Sequence, residues 1–409
     1  MVAIYTLIVR IYGLLIRMAS FWNEKARLWV EGRKEVFAFL EKSLLPTDRI
    51  IWIHCSSAGE FEQGKPVIEK LRLEYPDHKI LISFFSPSGY KVALGYKYAD
   101  LICYLPLDTP TNATKWLHTL HPELVIFVKY EFWYHYLKAL YTSEIPTLLI
   151  SAVFRQSQVF FKRYGAFYRR ILTFFQTIFV QDQLSRDLLQ QIEIQNVDIS
   201  GDTRFDRVVT IAEQFEELPG IAAFIKSEPV LVAGSTWEDD EDCLATINDL
   251  KLILAPHEIN EAHLATIERK FPGSQRYSRF LETGKAGRVL IIDNIGMLSR
   301  LYHYATLAYI GGGFTKDGIH NILEAAVYGK PAIIGPNYAK YREAVELIDR
   351  GAAFSLAQKQ GLANLINSLI KEPEKYRQSG RLGYDYVQEH RGATVKIVSF
   401  IQENRLLTR

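Results

Sequence analysis

From residue 49 onward, short and almost continuously apolar runs alternate with helix-length amphipathic segments. The pattern predicts strands at 49–53, 79–84, 101–104, 124–128, 147–151, 177–180 and 197–199. Helical patterns such as 64–75 and 88–94 lie between them. Strands without polar alternation, separated by helices, predict a parallel sheet covered on both faces. The rhythm pauses over 211–229, a polar, Glu-rich stretch containing Leu218-Pro219-Gly220, which reads as an interdomain connection. It then resumes with strands at 229–233, 251–255, 289–292, 307–310, 332–334 and 352–354. The expected organisation is an N-terminal segment (1–22) and two consecutive β/α domains (23–215 and 216–409). In such sheets ligands bind beyond the carboxyl ends of the strands, so the loops there are where chemistry is sought.

The opening stretch is of a different kind. Residues 1–22 are mostly apolar but include Arg10 and Arg17, which are seven residues apart and so share one helical face. The uninterrupted apolar run, 11–16, is too short to span a bilayer, and no small-residue cleavage site follows it. A helix lying in the membrane interface fits best, with Phe21 and Trp22 at headgroup depth and the arginines snorkelling. A crossing helix and a helix packed on the protein's own core are the alternatives. Lys25, Arg27, Arg33 and Lys34 follow and favour the cytoplasmic side. A second stretch, 159–175, interleaves Lys162, Arg163, Arg169 and Arg170 with Phe and Tyr. That composition suits an anionic membrane surface, and would also suit single-stranded nucleic acid. An amphipathic helix with a solvated basic face is the plain alternative.

Composition narrows these options. A net charge of +2 on 409 residues provides no global field for nucleic acid, which is not expected as a partner. The three cysteines (Cys55, Cys103 and Cys243) are widely spaced, which argues against a disulfide framework or a Cys-rich zinc site and fits a reducing compartment. Aromatic residues, at 13%, are in excess, and part of that excess is assigned to a membrane surface.

Three loops carry candidate chemistry. After the first strand comes His54-Cys55-Ser56-Ser57-Ala58-Gly59-Glu60. Its small residues (Ser56, Ser57 and Gly59) let an acceptor approach, and Glu60 falls in a first helical turn. There the helix dipole favours the anion, making Glu60 a candidate general base, with ordinary capping as the alternative. Farther along, Gly311, Gly312 and Gly313 follow a strand, and Lys316 and a helix start near His320-Asn321 come next. Glycines permit close backbone approach and a helix start welcomes phosphate, so this loop reads as a nucleotide site. Asn321 and Glu324 share a face, and Glu324 can accept from ribose hydroxyls. The third loop has Ser235 and Thr236 ahead of the acidic run Glu238–Asp242, which is assigned to the helix start, so no metal is expected. His257 and Arg204 are further candidates for donor contacts.

Together the motifs His54–Glu60, Tyr130-Glu131-Phe132-Trp133, Gly201–Asp206, Gly234–Thr236 and Gly311–Ala326 resemble, in order and spacing, the 3-deoxy-D-manno-octulosonic acid (Kdo) transferase family. The resemblance covers nearly the whole chain. It implies an α/β protein of GT-B type, with two Rossmann-like domains facing across a cleft and a last helix near 394–403 crossing back. It also implies an inverting, cofactor-free glycosyltransferase with CMP-Kdo as donor and a lipid A precursor as acceptor, at the cytoplasmic face of a Gram-negative inner membrane. By motif, Glu60 is the base, Glu131 a second acidic residue on the acceptor side, and Asn321 and Glu324 lie where CMP is held. The chain departs from the family pattern around the ligand contacts: Lys129 (placed with the acceptor residues), Trp237, Pro256 and Ile319. A sugar-nucleotide 2-epimerase of the same architecture is the main competing reading. A binding protein that kept the fold and lost the chemistry is the other.

Overall fold

The computed structural model describes residues 1–407. The chain divides into two compact units, Met1–Arg207 with Arg391–Arg409, and Val208–His390. In the first unit, β1 (Ile50–Cys55), β2 (Lys79–Phe84), β3 (Leu101–Tyr104), β4 (Pro122–Val128), β5 (Thr147–Ala152), β6 (Thr177–Val180) and β7 (Val197–Ile199) form one sheet ordered β3-β2-β1-β4-β5-β6-β7. All of its pairings are parallel. Alternate residues of β1 enter different cores. Ile50 and Trp52 pack with Trp116, Phe127 and Tyr136, whereas Ile51 and Ile53 pack with Phe61, Ile68 and Ile126. A strand buried on both faces must be apolar throughout, which is why these runs lack alternation.

The second unit repeats the plan. β8 (Val230–Thr236), β9 (Lys251–Pro256), β10 (Gln275–Arg276), β11 (Val289–Ile291), β12 (Leu307–Ile310), β13 (Ala332–Ile334) and β14 (Ala353–Ser355) are parallel in the order β10-β11-β9-β8-β12-β13-β14. The hydrophobic pattern misses only β10, a polar two-residue edge strand with nothing to bury on its own account.

The division falls within the helix Thr203–Glu213, earlier than the 215/216 boundary expected from sequence. Phe215 stacks on His303 at 4.0 Å between ring centroids, which ties this end of the connection to the second unit. The last helix, Ala393–Glu403, belongs to the first unit. Its Ile397, Val398 and Ile401 join the core of Phe61 and Ile68, and Asp206 accepts from the backbone N–H groups of Gly392 (2.6 Å) and Thr394 (2.7 Å).

At the N-terminus, α1 (Val2–Ala19) is followed by α2 (Glu24–Lys34) and α3 (Val36–Ser43). One face of α1 docks on the first unit. Tyr5 donates to Asp108 (2.5 Å), Thr6 Oγ1 lies 2.8 Å from His135 Nε2, Val9 is buried, and Gly13 abuts Leu107. The opposite face leaves Leu7, Ile8, Leu14 and Leu15 each more than half exposed. The aromatic run 159–175 is corrected by the structure. Phe160, Phe167, Phe174 and Phe175 are core residues, because they fill the space beneath the helix Ala166–Leu172. Arg169 is also turned inward, donating to the carbonyls of Phe160 and Lys162 at 3.0 Å each. Only Arg163, Tyr164 and Arg170 of that motif face solvent.

Candidate functional site

In the first sheet the strand order reverses between β1 and β4, and the crevice of an open parallel sheet opens beyond the carboxyl ends of such a pair. β1 and β4 are direct neighbours, with His54 opposite Phe127. The loops that leave them bring together Ser56, Ser57, Gly59 and Glu60 from one side and Lys129 and Glu131 from the other. α4 (Ala58–Glu74) opens with a capping box. Glu60 Oε2 accepts from the N–H groups of Ser56 (2.5 Å) and Ser57 (3.0 Å), while Ser57 Oγ accepts from Glu60 N (3.4 Å). Capping and a chemical role are therefore compatible, since only one carboxyl oxygen is used by the cap. A Cβ built on Gly59 would meet nothing within 4 Å, so the loop is open there. Burial, followed by the charge of Glu131, pushes the Glu60 carboxyl up to about 7. The sequence reading, in which the helix start keeps Glu60 ionised, is thus corrected. The two N–H bonds and Lys129 pull the other way but are outweighed.

Glu131 is held by His54 and Trp133, which stand in the motifs named above without a role of their own. Its Oε2 accepts from Trp133 Nε1 (2.5 Å) and lies 3.0 Å from His54 Nε2. His54 Nδ1 is 2.8 Å from Ser83 Oγ, which accepts from Trp52 Nε1 (2.7 Å). Trp133 Nε1 also lies 3.2 Å from His54 Nε2, so the ring is set between Ser83 on one side and the Glu131–Trp133 pair on the other. The signal in the sequence was a histidine and a serine in two otherwise apolar strands. Register decides that they meet: β1 and β2 place His54 opposite Ser83. Lys129 is half-buried at φ +70°, a strained conformation for a lysine, and its Nζ lies 5.5 Å from the Tyr130 ring centre.

The second sheet reverses between β8 and β12. Ser235 and Thr236 end β8, and Gly311, Gly312 and Gly313 follow β12, its neighbour. Ser235 has φ +54°, so both reversal points carry a strained residue at a strand end. The glycines are required by the protein's own backbone. A Cβ on Gly311 would lie 2.3 Å from Ser235 O, and one on Gly313 would lie 2.5 Å from Gly335 N. Gly311 N donates to Gly234 O (2.8 Å), and Gly312 N to Asp240 Oδ2 (2.8 Å). These two N–H groups therefore face inward, and the loop is shaped by them rather than offering them to a phosphate. Gly313→Ala has no space to relax into, since its obstacle is main chain. We expect it to lower the thermal midpoint of the protein, at a cost of at least ~2 kcal/mol.

Asp240 is the hub of this loop. Fully buried, it accepts from Gly312 N, Trp237 N (3.0 Å) and Tyr309 OH (2.8 Å). Its neighbour Glu241 pairs with His263 (2.9 Å). Among the described residues no group of three or more acidic, His or Cys side chains could hold a metal ion. Trp237, His257 and His320 stack in sequence, with ring centres 4.6 and 4.5 Å apart. Burial and then His257 hold His320 down at about 4, so the ring is neutral, and its Nε2 accepts from Trp237 Nε1 (3.2 Å).

The helix expected near His320-Asn321 is a single turn, Leu323–Ala326, because Asn321 Oδ1 caps Leu323 N (3.3 Å) and the chain turns again at once. A one-turn helix has little dipole, so this helix start, contrary to expectation, offers little to a phosphate. Asn321 and Glu324 do meet, with Nδ2 donating to Oε1 at 3.3 Å. Lys316 is exposed in the preceding loop. Arg204 lies in the first unit, its guanidinium on Asp202 (Nε–Oδ2 2.8 Å).

Comparison with known proteins shows what the chain is similar to. The family model described as 3-deoxy-D-manno-octulosonic-acid transferase (kdotransferase) matches residues 31–207. The 3-deoxy-D-manno-octulosonic acid transferase of Haemophilus influenzae is 24% identical over 388 residues, covering 90% of each chain. The enzyme of the same name from Aquifex aeolicus is 27% identical over 357 residues, covering 83% of this chain and 93% of its own. Among solved structures, a UDP-GlcNAc 2-epimerase from Neisseria meningitidis superposes with a TM-score of 0.60 at 17% identity, over 87% of this chain and all of the other. That likeness is one of fold. With the family model on residues 31–207 and relatives aligned through both units, the chain is similar to 3-deoxy-D-manno-octulosonic acid transferases over most of its length, which supports a glycosyltransferase.

Proposed function

We propose that the protein transfers Kdo, with inversion, from CMP-Kdo to a hydroxyl of a lipid A precursor during lipopolysaccharide synthesis, at the cytoplasmic face of the inner membrane. The observation that carries the chemistry is Glu60. A buried carboxyl at a strand-order reversal, poised near neutrality by burial and by Glu131, is matched to removing a proton from an attacking alcohol. In this reading Glu60 deprotonates the acceptor hydroxyl as it attacks the anomeric carbon, while CMP leaves from the opposite side. Glu131, fixed by Trp133 and His54, keeps the Glu60 proton affinity high. Ser56, Ser57, Gly59 and Lys129 border the acceptor. Ser235, Thr236, His257, the Gly311–Gly313 turn, Lys316, Asn321 and Glu324, together with Arg204, serve the donor. The test is incubation with CMP-Kdo and a tetraacylated disaccharide precursor, read by mass spectrometry. Kdo-bearing lipid with stoichiometric CMP is expected; a protein that leaves both untouched and instead epimerises a UDP-sugar would have been misread.

The membrane placement rests on α1. By length and composition this helix could cross a bilayer, but its Tyr5–Gly13 face is docked on protein and only the opposite face is apolar and open. Such a helix lies in the interface. Ile8→Asp with Leu15→Asp should abolish flotation with anionic liposomes. Arg163→Glu with Arg170→Glu should weaken it mainly at low salt.

A further inference from the structure

Beside α1 is a cavity of about 680 Å³ that no part of the transfer chemistry uses. Its walls come from α1, α2, α3 and the segment after β3. The lining includes Arg10, Arg17, Arg33 and Lys34 and no carboxylate. Lys34 is paired with Glu31 at 2.6 Å, but among the described residues neither Arg10 nor Arg17 has a hydrogen-bonding or ion-pair partner through its guanidinium. Arg33 is the more unusual cation. It is enclosed by the rings of Trp29, Phe85 and Tyr104, and it donates only to the neutral carbonyls of Leu105 (2.8 Å), Trp29 (3.0 Å) and Phe85 (2.7 Å). Burial, against the opposing pull of Tyr104, Tyr136, Tyr12 and Cys103, brings its guanidinium down to about 9, and among the described residues no carboxylate pairs with it. An independent sign is Trp29, which lines the cavity at 8% exposure and whose Nε1–H finds no acceptor. A buried donor without an acceptor costs about 1–3 kcal/mol, and an acceptor supplied by a ligand would relieve that cost.

The other half of the lining is apolar, with Leu14, Val30, Phe37 and Leu107. Leu14 belongs to the exposed face of α1, so the cavity adjoins the surface that meets lipid in the proposed membrane placement. Cations with spare donors next to an apolar wall are complementary to a phosphodiester carrying acyl chains. We propose that this cavity binds one anionic phospholipid of the bilayer, its phosphate held by Arg10, Arg17 and Lys34 and an acyl chain lying on Leu14, Phe37 and Leu107. The proposal rests on the interfacial placement of α1. It goes beyond surface attraction, because it requires one saturable site per chain and fills the space between α1 and the body of the first unit.

The test uses the full-length protein, delipidated in a neutral detergent, with dioctanoyl phosphatidylglycerol as probe and native mass spectrometry as readout. One saturable adduct per chain is expected, together with a rise in thermal midpoint. Dioctanoyl phosphatidylcholine should bind more weakly, and millimolar inorganic phosphate should not displace the adduct. Arg10→Gln with Arg17→Gln should weaken the adduct by about 10–100-fold, the loss expected for charged hydrogen bonds. Leu14→Asp, on the open side of α1 where folding is not at stake, should weaken it too. Arg163→Gln with Arg170→Gln should leave it unchanged. Several adducts of equal affinity, or a single adduct insensitive to Arg10, Arg17 and Leu14, would overturn the proposal. So would one-for-one displacement by the lipid A precursor, which would make the cavity part of the acceptor site. No nucleotide sugar is present, so a failed transfer reaction and a failed binding measurement are read separately.

Discussion

In the proposed reaction Glu60→Gln is expected to lower turnover with CMP-Kdo and lipid acceptor by about 10²–10⁴-fold, the worth of a positioned general base, and to leave donor binding unchanged. The amide oxygen of Gln can still accept from Ser56 N and Ser57 N, so α4 keeps its cap and the variant folds. Isothermal titration with CMP and a mass-spectrometric turnover assay separate the two effects. Wild-type kcat/KM should rise with pH through about 7 and then level off, because only the ionised carboxylate takes a proton, and the Gln variant should lose that limb. Glu62→Gln, by contrast, neutralises a carboxylate paired with Lys65 and Arg207 at the helix surface and should be mild. Near-normal turnover of Glu60→Gln would reduce Glu60 to a capping residue and shift the base to Glu131.

The same substitution has a stability signature whose sign is fixed by linkage. The Glu60 carboxyl lies near 7 when folded, against an ordinary value of 4.5, so between those values the folded chain binds more protons than the unfolded chain. Stability contributed by this group therefore falls as pH rises across that window and is lowest above it. Glu60→Gln should melt higher than wild type near about pH 8, by on the order of a few degrees, and equally near about pH 4, as read by calorimetry.

The second large effect is at Asp240. Asp240→Ala leaves Gly312 N, Trp237 N and Tyr309 OH without their acceptor in a site with no exposure. Orphaning buried donors costs about 1–3 kcal/mol each and is not additive, so about 3–5 kcal/mol of stability is expected to go, with donor binding lost alongside it. Asp240→Asn is the informative contrast. Its oxygen can serve both N–H groups and its amide can donate to the Tyr309 hydroxyl, while the buried charge, which burial drives toward protonation, is removed. Denaturation of the two variants should therefore diverge sharply. Equal destabilisation would mean that the negative charge, rather than hydrogen-bond acceptance, holds the glycine turn.

What the chain determined by itself was set by short-range rules. Strands buried on both faces must read as continuous apolar runs, so thirteen of the fourteen strands were legible, and β10 escaped because a two-residue polar edge buries too little to leave a pattern. Glu60 stood out because it opens a helix after a strand and borders small residues, and Glu131 through its place in the Tyr130-Glu131-Phe132-Trp133 motif of the family the chain resembles. Tertiary structure decided what those residues became. Parallel register between β1 and β2 set Ser83 against His54, and the β1–β4 reversal brought the two glutamates close enough for one to raise the proton affinity of the other. It also turned the aromatic residues of 159–175 inward and directed the N–H groups of Gly311 and Gly312 into the protein. Local sequence fixes which residues lie at a strand end or in a loop. Charge, burial and hydrogen-bond partners depend on neighbours dozens of residues away, and only the folded sheet brings those neighbours within reach.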